Sequence, residues 1–527
     1  MSTFSRALRN RSPRETAGRR WVFVPYDQLH DGIGPLATER ANELGVVLVE
    51  STAKANRRPY HRQKLALVLT NLRHFALEQA ARGVAVRHVA TDGDYASALA
   101  PIVKELGPLT VQRPAEHEMR TDLAPLFANG SLVEVPHGGW LTTTADFAVD
   151  ARPPWRMDAF YRRVRQRTGI LMEKGKPIGG KYSFDAENRR AWNGEPEAPK
   201  SPTFAVDEIT REACELVTTG FPNHPGALRP EHLPATRDDA ETTWRWALRE
   251  CLPTFGPFED AMSTRSSGLF HSRISALLNL HRLLPARVVG DAANADAPLA
   301  SREGFVRQIL GWREFVHHVH EATDGLRSFA GRALDANALT ATEPLPRAFW
   351  STPSGLACLD HVVADVWREG YSHHITRLMV LGNIATLLGV SPRELTDWFW
   401  VAYADAYDWV VEPNVLAMAT YAVGDLMTTK PYVSGAAYIA KMSDYCRGCA
   451  FDPKKNCPLT RAYWHFLARN GEQLASNRRL AMPLRSLARR SPAERAVDAL
   501  VVGWMRRTLA AGALLSPAAI AGIRDTS

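Results

Sequence analysis

The sequence predicts an α/β domain followed by an all-helical one, and two patterns carry that reading. From Trp21 to about Asp150, short apolar runs (WVFVPYDQL, VVLVE, VAVRHV) alternate with an amphipathic helical stretch, LALVLTNLRHFALEQAARG, as in a parallel sheet with crossover helices. Beyond residue 235 the strand signals nearly vanish. Segments such as EGFVRQILGWREFVHHVH and HHITRLMVLGNIATLLG then repeat their apolar residues at three- and four-residue steps. With 527 residues, 45% of them apolar, the chain can bury more than one core.

In chain order, residues 1–20 (MSTFSRALRNRSPRETAGRR) are rich in Arg and Ser and are expected to form a flexible basic arm. Residues 21–150 form the α/β domain, and the turn after its first strand, PYDQLHDG, lacks the G-x-G-x-x-G of a dinucleotide site. Residues 151–234 are punctuated by Pro, Gly, Arg and Asn (ARPPWR, KGKPIGGKYSFDAENRR, FPNHPGALRP) and read as a long irregular connector. Residues 235–527 make up the helical domain. No secretory segment is visible, and the apolar stretch from Val501 to Ile523 is broken by Arg506, Arg507 and Pro517, so no membrane span is expected. Six Cys without disulfide-type spacing indicate a reducing, cytoplasmic setting. The net charge of +8 favours a polyanionic partner, because Lys and Arg that neutralise phosphates release counterions.

Four cysteines carry the most specific chemistry. In YCRGCAFDPKKNCP, Cys446 and Cys449 can grip one metal atom from a single turn, Cys457 follows, and Cys358 would supply the fourth thiolate from far back in sequence. Structural zinc and a cubane iron–sulfur cluster both fit this spacing. Cys214 and Cys251 read as packing residues.

The helical domain holds four further motifs. Thr264, Ser266 and Ser267 stand with Gly268 just before a helix expected to begin near His271, where free N–H groups attract phosphate; an ordinary N-cap would use the same residues. RQILGWREF combines Gln308, the aromatic plate of Trp312, the fork donor Arg313 and the carboxylate Glu314. In GYSHHITRLMVLGN, His373 and His374 lie about 100° apart on a helix, so one can point into a site as a proton donor, with Arg377 one turn beyond. The run DWFWVAYADAYDWVVEPNVLAMA packs Trp398, Phe399, Trp400, Tyr403, Tyr407 and Trp409 together. Such aromatics serve core packing or one-electron relay, and Asp405, Asp408 and Asn414 offer partners for a cofactor ring nitrogen.

Taken in order, HSRISALLNL, EGFVRQILGWREF, GYSHHITRLM, DAYDWVVEPNVLAMA and SDYCRGCAFDPKKNCP resemble the prokaryotic (6-4) photolyases, the iron–sulfur branch of the bacterial cryptochromes and photolyases. The resemblance runs from Trp21 to beyond Cys457. It implies the cryptochrome/photolyase fold: a Rossmann-like α/β antenna domain plus an all-α FAD-binding domain. It implies a 4Fe-4S cluster on Cys358, Cys446, Cys449 and Cys457. FAD contacts would come from Thr264, Ser266, Ser267, His271, Ser272, Ile274, Ser275, Gln308, Trp312, Arg313, Arg377, Asp405, Asp408 and Asn414. Trp398 and Trp350 match electron-relay positions, with Tyr407 as a further candidate, and Phe399 stands where the family pattern has a tyrosine.

The implied reaction is blue-light repair of (6-4) pyrimidine–pyrimidone lesions flipped out of UV-damaged DNA, with His374 as proton donor, His373 as its neighbour, and Asp185 and Tyr432 lining the lesion pocket. The resemblance also implies a 6,7-dimethyl-8-ribityllumazine antenna near Tyr26, Asp27, Gln28 and Glu50, although PYDQL departs from the family's glycine-containing turn. The loop from Cys449 to Cys457 is shorter than the family's. A monomer is expected. The alternative function is a cryptochrome-like photoreceptor without repair, and the paired histidines favour repair.

Overall fold

The computed structural model describes residues 2–148 and 152–525, so the domain boundary expected at Asp150/Ala151 lies outside the described residues. Five parallel strands, β1 (Arg20–Phe23), β2 (Leu44–Ser51), β3 (Ala85–Thr91), β4 (Leu109–Gln112) and β5 (Leu132–Val135), lie in the order β3-β2-β1-β4-β5. In β2 every residue from Leu44 to Glu50 is buried, which is why LGVVLVE reads as a nearly unbroken apolar run. Gly45 makes room for its ladder partner Trp21, whose indole would come within 2.5 Å of a Cβ there. The strand order reverses between β1 and β4. Tyr26, Asp27 and Gln28 follow β1 at that switch point, where such sheets receive ligands.

Residues 3–11 of the expected flexible arm are a helix, α1 (Thr3–Arg11), capped by the Ser2 side chain. Its buried residues are Phe4 and Leu8 alone, too few for the Arg-rich composition to reveal it. They dock on α2 (Arg62–Ala81), where Phe4 lies beneath the Arg73 guanidinium, and Phe4 also meets the ring of His88 on β3 edge-on at 4.8 Å. The free N–H groups of Thr3 and Phe4 donate to the Glu212 carboxylate at 2.6 and 3.3 Å.

Helix α2, expected to be amphipathic, is buried on nearly every side because it is wedged between the sheet and the helical domain. Its polar residues are therefore paired: Asn71 donates to the Pro234 carbonyl, Lys64 to the carbonyls of Trp400 and Ala406, and Arg73 to both oxygens of Glu50 and to Glu212.

The connector contains two helices that its Pro and Gly content concealed, α3 (Met157–Thr168) and α4 (Glu208–Gly220). Phe160, Tyr161 and Val164 form the buried side of α3, which ends at the left-handed Gly169, and Asp207 caps α4. The helical domain includes α5 (Ala357–Glu369), α6 (Pro392–Ala402), α7 (Pro458–Asn470) and α8 (Pro492–Ala510). Three motif segments, Arg307–Arg313, Thr376–Gly382 and Glu412–Ala419, are wound as π-helix, a widened turn that frequently marks functional sites. No helix among the described residues is long and apolar enough to cross a membrane.

Glu50 anchors this arrangement. Burial alone would raise its carboxyl, but hydrogen bonds from Arg73 and His88 outweigh burial and bring it down to about 2. Relative to the ordinary value of about 4.3, that shift contributes roughly 3 kcal/mol. The contribution is present above the unfolded-state value and is lost as pH falls toward the folded one. Glu50→Gln is expected to remove about that much stability at neutral pH and to flatten the acid limb. Denaturant unfolding across a pH series measures both.

Candidate functional site

A cleft with a cavity volume of about 110 Å³ opens where α2, the connector and the helical domain meet. Arg273, Ser275, Glu369, Tyr371 and Asp405 line it. The helix expected from His271 begins at Ser275, because Leu269 and Arg273 adopt left-handed backbone conformations that interrupt it. Such non-glycine conformations persist where surrounding contacts enforce them, often at functional sites. Those contacts are extensive: the Arg273 guanidinium pairs with Glu369, donates to Ser267 and Ser201 at 3.0 and 3.2 Å, and lies 4.4 Å from the Tyr371 ring centre. Its Nε is buried without a partner.

Asp405 is the centre of the site. Arg377 grips both its oxygens at 2.9 Å, Ser275 donates to it at 2.6 Å, and Asn279 donates to its backbone carbonyl. Burial would raise the Asp405 carboxyl, but the charge and hydrogen bonds of Arg377 outweigh it and hold the group below its ordinary value. The Arg377 guanidinium also covers the Tyr403 ring, 4.0 Å from its centre.

Beside this pair stand three histidines. His373 precedes the helical segment and stacks on His271 with ring centres 4.4 Å apart, and the His374 ring lies edge-on to His271 at 5.3 Å. His271 Nε2 and His373 Nδ1 are buried and unpaired. Burial pulls all three below the ordinary histidine value, furthest for His271 and His373; at His374 the carboxylates of Glu259 and Asp185 oppose it. His374 is thus the member most readily protonated. Burial, followed by the charge of Asp185, raises the nearby Tyr432 phenol.

Other expected cofactor residues are engaged elsewhere. Asp444 receives the Thr264 N–H and hydroxyl at 2.8 and 3.2 Å, Ser266 accepts from the Leu269 N–H, and Ser267 donates to Glu369. Ser272 and the buried Ile274 flank Arg273. Gln308 donates to Glu259 at 2.6 Å, and Trp312 packs on Phe315. Arg313 reaches Asn279 and Glu314 and lies over the Trp140 ring. Asp408 faces the α/β domain and accepts the Glu118 N–H at 3.0 Å, while the Asn414 amide donates to Val410 in its own helix. None of Gln308, Trp312, Arg313, Asp408 and Asn414 lines the cleft. Arg273, within the expected His271–Ser275 stretch, does, as do Glu369 and Tyr371, to which the sequence assigned no role; the left-handed turn that aims Arg273 has no sequence signal.

Trp398 is buried, Trp350 is 46% exposed, and Tyr407 is buried 6.0 Å from Tyr26. At the switch point Tyr26 donates to Glu116, Gln28 donates to the Gln112 carbonyl, and one Asp27 oxygen is buried and unpaired. Glu50 is apart from them, committed to Arg73 and His88.

The four motif cysteines converge. Cys358 lies in the first turn of α5, Cys446 on a 3₁₀ turn, Cys449 just after that turn, and Cys457 caps α7 ahead of Pro458. Asp452 closes the short loop by accepting the Lys454 and Lys455 N–H groups, and its carbonyl takes the Cys457 N–H. Burial, then the charges of Cys457, Cys446 and Cys449, push the Cys358 thiol well up. Among the described residues the three histidines bring their ligating atoms within 4.8 Å of one another, and no three of these sulfurs do so.

The Arg377–Asp405 pair yields a test. Arg377→Met leaves a buried carboxylate unpaired and is expected to cost about 3–5 kcal/mol, with Asp405→Asn in the same chain restoring most of it; urea unfolding of the single and double variants measures the difference.

The sequence profile of the family described as deoxyribodipyrimidine photo-lyase-related protein matches residues 22–233. A (6-4) photolyase from Agrobacterium fabrum (strain C58 / ATCC 33970) is 36% identical over 493 residues, 89% of this chain and 96% of that protein. Among solved structures, a bacterial class III photolyase from Agrobacterium tumefaciens aligns with a TM-score of 0.56 at 15% identity, covering 94% of this chain and 99% of its own. The Synechocystis sp. PCC6803 cryptochrome aligns with a TM-score of 0.50 at 14% identity, over 77% of this chain and 83% of its own. These likenesses agree with a parallel α/β domain joined to a helical one, and the match along nearly the whole curated relative shows that the chain belongs to the (6-4) photolyase family.

Proposed function

We infer that this photolyase repairs (6-4) pyrimidine–pyrimidone lesions in UV-damaged DNA with FAD as its photocatalyst. The observation that carries the reading is the histidine cluster, with His374 its most readily protonated member, beside the buried Arg377–Asp405 pair. FAD, when bound and reduced, supplies an electron under blue light.

The chain's own residues suit that partner. Arg273, with its unpaired Nε, and the Ser275 hydroxyl offer a cation and a donor for a diphosphate. Arg377 offers positive charge to an anionic ring, and Asp405 fixes its guanidinium. His374 would hold the proton that the electron-loaded lesion needs, and His373 and His271 exclude water from its flank. Asp185 and Tyr432 would border the flipped base, whose extrusion is least costly at a damaged, poorly stacked site.

The same reading assigns a 4Fe-4S cluster to Cys358, Cys446, Cys449 and Cys457. Four thiolates also suit tetrahedral zinc, and the choice of the cluster rests on the likeness to the iron–sulfur photolyases. A ribityllumazine antenna is assigned to the switch point, where Asp27 has an unpaired oxygen and burial, then Glu116, pushes its carboxyl up to about 7.

Purified protein should show a flavin spectrum with a broad iron–sulfur shoulder and should remove a defined (6-4) lesion from DNA only under blue light. A flavin spectrum without repair would transfer the protein to the photoreceptors, and repair of cyclobutane dimers alone would contradict the histidine assignment. His374→Ala is expected to retain FAD and lose repair. In the wild type, single-turnover repair should rise as pH falls below neutrality, because burial pulls His374 below its ordinary value. Cys446→Ser should lose the iron–sulfur absorbance and most soluble protein, since metal binding is coupled to folding of the ligand loop.

A further inference from the structure

We propose that Trp367 is the middle link of an electron relay, Trp398–Trp367–Trp350, and that His61 of the α/β domain clamps that link in place. The inference rests on the flavin-dependent reading above. Helix α6 supplies Trp398, which is buried, and its ring lies 6.1 Å from Tyr403, the ring beneath the Arg377 guanidinium. Of the rings in contact with Trp398, Trp367 on α5 is the one other indole, 6.0 Å away and edge-on. Trp367 in turn stacks on Trp350 at 5.4 Å and 22°, and Trp350 is 46% exposed. The wire therefore runs from the buried site to the surface.

Two details hold it in register. The indole N–H groups of Trp367 and Trp398 both donate to the Phe349 carbonyl, at 2.9 and 3.0 Å, and Phe349 is the residue before Trp350. On its other side Trp367 is covered by His61, the cap of α2, whose ring is parallel within 6° at 5.8 Å and whose Nε2 meets the Trp367 carbonyl at 3.2 Å. Burial lowers His61 to about 4, against hydrogen bonding of its ring to the Trp367 and Val366 carbonyls, so the ring is neutral at pH 7 and does not repel a positive charge on the indole. Phe399, stacked on Tyr403 at 5.2 Å, has no readily removable electron and cannot substitute for Trp367.

The electron count closes as follows. One electron leaves Trp398 for the photoexcited oxidised cofactor, one from Trp367 refills Trp398, and one from Trp350 refills Trp367. The Trp350 radical cation releases its indole proton to water, and a thiol in solution returns the electron and a proton to it.

The test is photoreduction of the flavin-loaded protein under blue light with excess thiol, followed by the loss of oxidised-flavin absorbance, with transient electron paramagnetic resonance of the tryptophan radical as a second readout. Trp367→Phe is expected to slow photoreduction at least tenfold and to abolish the long-lived radical, and Trp367→Tyr, which keeps an oxidisable ring, to recover part of the rate. Photoreduction at the wild-type rate in Trp367→Phe overturns the proposal. Should that variant fail to fold, the wild type illuminated in oxygen without thiol decides: oxygen addition mapped by mass spectrometry to Trp350 supports the relay, and its absence there overturns it. A wild type that binds no flavin overturns the photolyase reading itself, an outcome separate from a flavin-loaded protein whose rate ignores Trp367.

Discussion

The buried Arg377–Asp405 pair is the interaction on which the site depends. Two charges out of water are tolerable only when each is met by the other and by hydrogen bonds. Here a π-helical segment brings the guanidinium, the loop after α6 brings the carboxylate, and Ser275 and Asn279 tie Asp405 to the segment that follows the left-handed Arg273. Three stretches distant in sequence are thereby held at one point, with the histidine cluster attached to the same segment as Arg377. A cofactor or lesion entering there meets a field that has already been organised, which is how a buried polar site acts without reorganising.

The second constraint is the burial of α2. A helix between a sheet and a helical domain cannot leave polar side chains unpaired, so Lys64, Asn71 and Arg73 each reach a partner in another part of the chain. Burial pulls Lys64 down to about 7. The same helix presents His61 to Trp367 and Gln63 to the cleft, so the α/β domain contributes to the helical domain's chemistry by contact as well as by any antenna.

The cysteine site follows a related logic with the opposite sign. Four thiols brought together repel one another as thiolates, and Cys358, the most enclosed, is pushed furthest from ionisation. A metal centre there would supply the positive charge that reverses this, and the short loop is held by a turn centred on Asp452. Thr264 and Ser263 on the neighbouring turn both bond Asp444, two residues before Cys446, so the cysteine loop and the hydroxyl-rich turn share a support.

The sequence by itself determined the two-domain architecture, the Cys446–Cys457 motif and the histidine pair, because each is written as a local period or a motif of nearby residues, whereas the pairing of Arg377 with Asp405 was decided by the tertiary structure. It did not reveal α1, α3 or α4: their apolar anchors are few and lie among Arg, Pro and Gly, so the stabilising surface is supplied by distant elements. Nor did it reveal that Glu369 and Tyr371 line the cleft with Arg273, or that Gln308 and Asp408 bond Glu259 and the Glu118 N–H. Which way a side chain points depends on backbone twist at residues such as Arg273 and on π-helical widening, and neither has a residue-level signature. The place of Trp367 between Trp398 and Trp350 was decided by tertiary structure alone, since α5 and α6 present their indoles to each other only once the helices have packed.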